Sequence, residues 1–137
     1  MRFMLLMIPK SYETAGPELD LPLDRVAEMM QFNESLQQAG VLLYCEGLHP
    51  PATGARVRFK SKVPTVTDGP FAEAKELLGG FWMIDVRSRE EAIEWARRCP
   101  ASDDEMIEVR RVQEMDDYTP EVQQLTAGFE TMQGKKP

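Results

Sequence analysis

The chain has 137 residues, 42% of them hydrophobic and 28% charged, which suits one globular domain with a single core. It carries 16 basic and 23 acidic residues, so its formal net charge is −7. Nucleic acids and anionic membrane surfaces attract positively charged proteins, so this balance argues against both as partners.

The hydrophobic pattern predicts six strands and three helices in the order β-α-β, β-hairpin, β-α-β and tail helix. Gly40 is a C-terminal stop for the first helix, Ser88 and Glu91 form a capping box for the second, and Pro120 suits the first position of the third. The strands are expected at residues 2–8, 41–48, 55–59, 63–67, 80–86 and 105–112, and the helices at 23–39, 88–99 and 120–133.

This order predicts an α+β fold of the ferredoxin-like, split β-α-β kind, with an inserted β-hairpin and a C-terminal helix. Helices would then cover only one face of the sheet. The first strand and GFWMIDV (80–86) are apolar on both faces, and we expect Phe3, Leu5, Met7, Phe81 and Met83 to lie on the uncovered one. Burying a side chain of this size contributes roughly 1.5–3 kcal/mol, so the pattern predicts a homodimer that packs sheet against sheet.

The N-terminal apolar run is too short to span a bilayer, and no small-residue cleavage site follows it, so we expect a cytoplasmic protein. Cys45 and Cys99 are separate in sequence and are interpreted as buried thiols rather than a redox pair. With one histidine and no cysteine cluster, no metal site and no cofactor are expected.

The stretch VTDGPFAEAKELLGGFW (66–82) resembles the signature of the DGPF proteins, a branch of the YCII-related family. The supporting blocks are RFMLLM (2–7), EGLHPP (46–51), EEAIEWARRCP (90–100) and IEVRRV (107–112). The resemblance covers residues 1–118 and leaves 119–137 as a C-terminal helix and tail. It implies a dimeric α+β barrel, in which two ferredoxin-like units face each other.

The resemblance implies little about function, because most members of the family have no assigned reaction. The wider group is suspected of acid–base chemistry through a His–Asp pair, and DGPF proteins occur beside sigma-factor-like regulators. We therefore expect a small cofactor-free acid–base enzyme of the lyase or isomerase type, acting on a small molecule in a pocket beside the sheet. The alternatives are a non-catalytic ligand-binding or regulatory dimer, associated with such regulators, and an interaction module whose tail helix docks on a partner.

Asp68 is the first candidate for catalysis, because a carboxylate at a strand end can act as a general base. The structural alternative is that Asp68 accepts the Phe71 amide and caps the turn, while Gly69 allows close backbone approach and Pro70 fixes φ. His49, just past the second strand, is either an assistant to Asp68 or an exposed loop residue.

Five charged residues are candidates for substrate binding, each with a structural alternative. Lys75 would either bind an anionic substrate or belong to a solvated face. Arg58 would either bind an anionic substrate or lie on an exposed face of the hairpin. Alternation puts the other three on the side of Phe81 and Met83, where charges either line a pocket or pair within a dimer interface. These three are Asp85, Glu108 and Arg110.

Overall fold

The computed structural model describes residues 1–72 and 75–134. Its strands and helices follow the predicted order closely. The strands are β1 (Arg2–Ile8), β2 (Leu42–Gly47), β3 (Ala55–Lys60), β4 (Val63–Asp68), β5 (Gly80–Asp85) and β6 (Met106–Arg111). The helices are α1 (Leu23–Gln38), α2 (Arg89–Arg97), α3 (Pro120–Leu125) and α4 (Phe129–Met132), with short 3-10 turns at Lys10–Glu13, Pro51–Thr53 and Met115–Asp117.

Four strands form one antiparallel sheet in the order β2-β5-β1-β6, and β3 pairs with β4 in a separate hairpin. This strand order, with one helix after β1 and one after β5, is the predicted ferredoxin-like arrangement. The sheet of the single chain is open and does not close into a barrel. No helix among the described residues is long and apolar enough to cross a membrane.

The core lies between the sheet and helices α1 and α2. Leu5, Leu36 and Ile84 are fully buried there. Phe32 of α1 meets Trp82 of β5 edge to face, with ring centroids 5.3 Å apart. Aromatic pairs favour this geometry, so the contact helps to hold α1 against the sheet.

The prediction that Phe3, Leu5 and Met7 lie on the uncovered face is wrong. The β1–β5 register places Leu5 opposite Trp82, and directly opposed residues of an antiparallel pair share a face. The three side chains are therefore under the helices, with Phe3 3% exposed and Leu5 0% exposed. Phe81 and Met83 do lie on the uncovered surface, as predicted. This surface, called the open face below, carries five half-buried largely apolar residues: Met4, Leu6, Tyr44, Phe81 and Met83.

Helix α2 begins as predicted, because the Ser88 hydroxyl accepts the Glu91 backbone N–H at 3.1 Å. The Glu91 carboxylate, however, accepts the N–H of Arg87 rather than that of Ser88. The predicted single tail helix is wrong, because it is broken into α3 and α4. Gly128, with φ of 90°, lies between them, and a left-handed residue cannot continue an α-helix.

Candidate functional site

The candidate site lies at the end of the sheet where β1 and β2 finish and β5 begins. Three hydrogen bonds hold this end together. The Gly79 N–H donates to the Met7 carbonyl at 2.8 Å, and the Leu48 N–H donates to the Gly79 carbonyl at 2.9 Å. The Tyr12 hydroxyl donates to the Leu48 carbonyl at 2.6 Å. Gly79 is required here, because a side chain would collide with the ring of Pro9, 2.6 Å from a built Cβ.

A cavity of about 410 Å³ opens between this end of the sheet and the N-terminal half of α1. Its size is within the range of small-molecule sites. The first turns of α1 contribute Val26, Met29, Met30 and Asn33, which recur at helical spacing and so share one face. The remaining walls come from Met7, Leu21, Pro22, Arg25, Cys45, Glu46, Gly47, Gly79, Gly80, Phe81 and Trp82.

Asn33 is the best-oriented polar group in this cavity. Its Oδ1 accepts the indole N–H of Trp82 at 2.7 Å, which fixes the orientation of the amide. The Nδ2 group therefore points away from Trp82, and its one described contact is the Met30 sulfur at 3.8 Å. A thioether is a weak acceptor, so this amide keeps a donor for a ligand oxygen.

Arg25 also lines the cavity, but its guanidinium already donates hydrogen bonds to other residues of the chain. Nη1 donates to the Pro100 carbonyl at 2.6 Å, and Nη2 donates to Glu105 at 3.1 Å. These contacts tie α1 to the loop after α2. Arg25 therefore shapes the cavity rather than offering a free charge for an anion.

The cysteine in the cavity is not activated as a nucleophile. Burial raises the pKa of the Cys45 thiol, and the Glu46 charge raises it further. Burial, together with the charge of Glu105, also raises the pKa of Cys99, outside the cavity, to about 12. Since the thiolate is the reactive form, these shifts favour the less reactive thiol form of both residues at neutral pH. Cys45 is therefore not a candidate nucleophile in this cavity.

The Asp-Gly-Pro-Phe corner, residues 68–71, is held mainly by backbone packing. The Gly69 N–H donates to the Gly54 carbonyl at 2.8 Å. A Cβ built on Gly69 would be 1.7 Å from the Pro51 carbonyl oxygen, so only glycine fits. The Arg56 guanidinium lies over the Phe71 ring, 3.9 Å from its centroid. The bond between Gly69 and Pro70 is cis.

Asp68 is paired with Ala55 through the backbone of the hairpin, but its side chain makes no described contact that holds this corner. Within residues 1–72 and 75–134, its exposed carboxylate makes no hydrogen bond or ion pair, including the cap to the Phe71 amide. His49 is also exposed, and no hydrogen bond joins it to Asp68. Gly69 is in close contact with Pro51, two residues after His49. The loop that carries His49 therefore lies near the corner that carries Asp68, but the two side chains are not bonded to each other. Neither residue lines the α1 cavity.

The other predicted binding residues are spread over four places. Arg110 pairs with Glu108 at 3.2 Å on exposed β6, beside the open face. Asp85 accepts the Met1 ammonium at 3.1 Å. Arg110 also borders a second cavity of about 380 Å³ near the start of α2. Arg58 lies on the hairpin and Lys75 lies in the loop before β5, both exposed.

Sequence reasoning missed the α1 cavity because it interpreted the methionines and Trp82 only as core. The usable signal was the helical spacing of Val26, Met30 and Asn33, which puts an amide on an apolar stripe. An amide in that position needs a hydrogen-bond partner, and the indole N–H of Trp82 is a donor that could pair with it.

A model of the YCII-related domain matches residues 1–116. The chain belongs to the YCII-related family. It is also 43% identical over 60 residues to an uncharacterized protein of Rhizobium meliloti (strain 1021). That match covers 44% of this chain and 48% of the relative, or about half of each protein. The family membership agrees with the ferredoxin-like sheet and names no reaction.

Proposed function

We propose that this YCII-related protein binds a small, largely apolar molecule with a hydrogen-bond acceptor in the α1 cavity. The observation that supports this most directly is the Asn33 amide, held by Trp82 with its donor side left to the cavity. Apolar walls with a few well-placed polar groups are typical of small-molecule sites. This favours the ligand-binding alternative over catalysis in that cavity.

A matched pair of ligands tests this function. Methyl naphthyl ketone carries a carbonyl where ethylnaphthalene has a methylene group, and the two have similar shape. Calorimetric titration should detect both, with the ketone bound about tenfold more tightly, the effect of one net hydrogen bond. If neither compound binds at its solubility limit, the proposed function is wrong.

Val26→Trp provides the site control. Val26 is on the cavity wall and is 40% exposed, so the larger side chain should fill the cavity without disturbing the core. Val122 of α3 is 37% exposed and is not on the cavity wall. Val26→Trp should therefore abolish binding of both compounds, while Val122→Trp should leave it unchanged.

We also propose that the protein acts as a homodimer through the open face. Five half-buried apolar side chains form this surface, and the charged residues Glu108 and Arg110 flank it on the edge strand β6. An apolar centre with a polar rim is typical of protein interfaces. Met83→Lys should produce a folded monomer in sedimentation, because it would bury an unpaired charge in the interface.

A second candidate function is proton abstraction by Asp68, assisted by His49. The observation that favours it is that the described contacts at the corner, Gly69 with Pro51 and Arg56 with Phe71, do not involve the Asp68 carboxylate. The base would take a proton from carbon beside a carbonyl, and the resulting enolate would be reprotonated from solvent.

Deuterium uptake at the methyl group of methyl naphthyl ketone in heavy water measures that step at residues 68–71. Val26→Trp, which fills the α1 cavity, should leave the uptake unchanged because Asp68 does not line that cavity. Asp68→Asn should abolish any uptake above the solvent rate while leaving the thermal midpoint unchanged. A lowered midpoint would assign Asp68 to the turn instead. Uptake that survives in the variant would exclude Asp68 as the base.

A further inference from the structure

The hairpin β3–β4, residues 55–68 and called the arm below, stands apart from the main sheet. Ser61 and Lys62 form its two-residue turn, and both have a positive φ, of 50° and 65°. Two-residue hairpin turns with positive φ are favoured because their twist matches the right-handed twist of the strands. The register places Val57 opposite Val66 and Phe59 opposite Pro64. One face of the arm is therefore apolar.

This apolar face has no cover in the single chain. Val57 is 52% exposed, Val66 is 64% exposed and Phe59 is 73% exposed. A two-stranded ribbon is marginally stable at best in water unless something packs on it. The arm is thus a surface that needs a partner.

The charge of the arm is opposite to that of the rest of the protein. It carries Arg56, Arg58, Lys60 and Lys62 against one carboxylate, a net charge of +3 in a chain of net charge −7. The remainder of the chain therefore carries −10. Among the described residues, Arg58, Lys60 and Lys62 form no ion pair. An acidic surface is the expected counterpart.

Residues 18–24, called the acidic segment below, have the matching pattern. Their sequence is ELDLPLD, in which acidic residues and leucines alternate up to Pro22. Leu19 is 45% exposed, Leu21 is 62% exposed and Leu23 is 87% exposed. Glu18, Asp20 and Asp24 make no ion pair with any described residue. The arm alternates in the same way, as RVRFK over residues 56–60.

We infer that the acidic segment of a second copy lies along the outer edge of β3 in the arm. Because side chains alternate along both segments, its leucines would pack beside Val57 and Phe59 on one face, and its carboxylates would meet the basic side chains on the other. No described hydrogen bond or ion pair joins the arm to the acidic segment within one chain. A two-fold axis would form this contact twice. The inference rests on the proposed homodimer and adds a second contact surface to its open face.

The contact also bears on the ligand site. Leu21 and Pro22 belong to the acidic segment and line the α1 cavity. An arm seated on this segment would therefore complete the cavity wall from the partner copy. The ligand would then bind the dimer more tightly than the monomer. Ligand binding would therefore favour dimer formation, and dimer formation would favour ligand binding.

A charge exchange tests the contact. The first variant, Arg58→Glu with Lys60→Glu, makes the arm acidic, and the second, Asp20→Lys with Asp24→Lys, makes the segment basic. Each variant alone should dimerise about tenfold or more weakly than the wild type, because like charges then face each other at both contacts. An equimolar mixture should recover wild-type affinity, since every arm then meets a segment of opposite charge. Sedimentation at several concentrations measures all four samples.

The outcomes separate the two claims. If both variants dimerise like the wild type while Met83→Lys is monomeric, the arm contact is wrong and the open-face dimer stands. If the variants weaken and the mixture does not recover, the arm docks elsewhere than residues 18–24, which also overturns the inference. If the wild type is monomeric at micromolar concentration, the homodimer itself is wrong.

Discussion

The indole N–H of Trp82 donates a 2.7 Å hydrogen bond to Oδ1 of Asn33, which orients the amide beside the α1 cavity. Asn33→Asp separates the two roles of this side chain, because a carboxylate still accepts from Trp82 but has no N–H to donate. We expect the variant to fold normally and to lose the preference for methyl naphthyl ketone over ethylnaphthalene. Calorimetric titration of both compounds measures the preference.

Asn33→Leu is the control for this prediction. It removes both the acceptor and the donor, so the Trp82 indole is left without its partner at a cost of about 1–3 kcal/mol. The thermal midpoint should therefore fall in Asn33→Leu and remain near wild type in Asn33→Asp. If Asn33→Asp keeps the ketone preference, the amide is not the recognition group.

Leu36 anchors α1 to the sheet and is 0% exposed. Leu36→Ala should destabilise the protein by about 3 kcal/mol, because the truncation leaves a cavity in the core. That corresponds to a fall of roughly 10 °C in the thermal midpoint for a chain of this length. Leu125→Ala is the matched control, since Leu125 of α3 is 86% exposed and should tolerate the change. Equal effects of the two substitutions would contradict the assignment of the core.

Gly69 should be the most sensitive residue of the corner at residues 68–71. Gly69→Ala would place a Cβ 1.7 Å from the Pro51 carbonyl oxygen, so the two backbones must move apart. We expect a loss of about 1–3 kcal/mol, the usual cost of overpacking. Gly16→Ala is the control, because nothing lies within 4 Å of a Cβ built there. Urea unfolding of both variants is the measurement, and a neutral Gly69→Ala would refute the close packing.

Cys99 gives a prediction about alkaline pH. Burial raises its pKa to about 12, above the ordinary value near 9. Between these values the unfolded thiol loses its proton while the folded one keeps it, so stability falls as pH rises through this window. Cys99→Ala removes that contribution, and its free energy of unfolding should decline less between pH 8 and about pH 11 than that of the wild type. An identical decline in both proteins would contradict the buried state of the thiol.

The sequence predicted the fold where local signals agreed. The ends of β1, α1 and α2 follow from apolar periodicity and from stops or caps such as Gly40 and Ser88. The prediction of a single tail helix was wrong because the pattern of apolar residues does not reveal the left-handed conformation of Gly128. Alternation along β1 was correct, but it did not reveal which of its two apolar faces meets the helices. Only the pairing of Leu5 with Trp82 decides that.

The candidate site was harder to predict because it depends on contacts between distant residues. Asn33 and Trp82 are 49 positions apart, and nothing in either local pattern indicates that they meet. Asp68 was identified from a local motif, and the structure adds that the corner is held by other groups. The sequence predicted the charged residues near the open face because strand alternation alone places Glu108 and Arg110 there.

The most direct test of ligand binding in the α1 cavity uses the two tryptophans of the chain. Trp82 lines the cavity, whereas Trp95 of α2 packs in the core and has the Arg98 guanidinium over its ring. In proton–nitrogen NMR spectra, saturating methyl naphthyl ketone should shift the indole N–H signal of Trp82 and leave that of Trp95 in place. Equal shifts of both signals, or no shift of Trp82 at saturation, would contradict the proposed site.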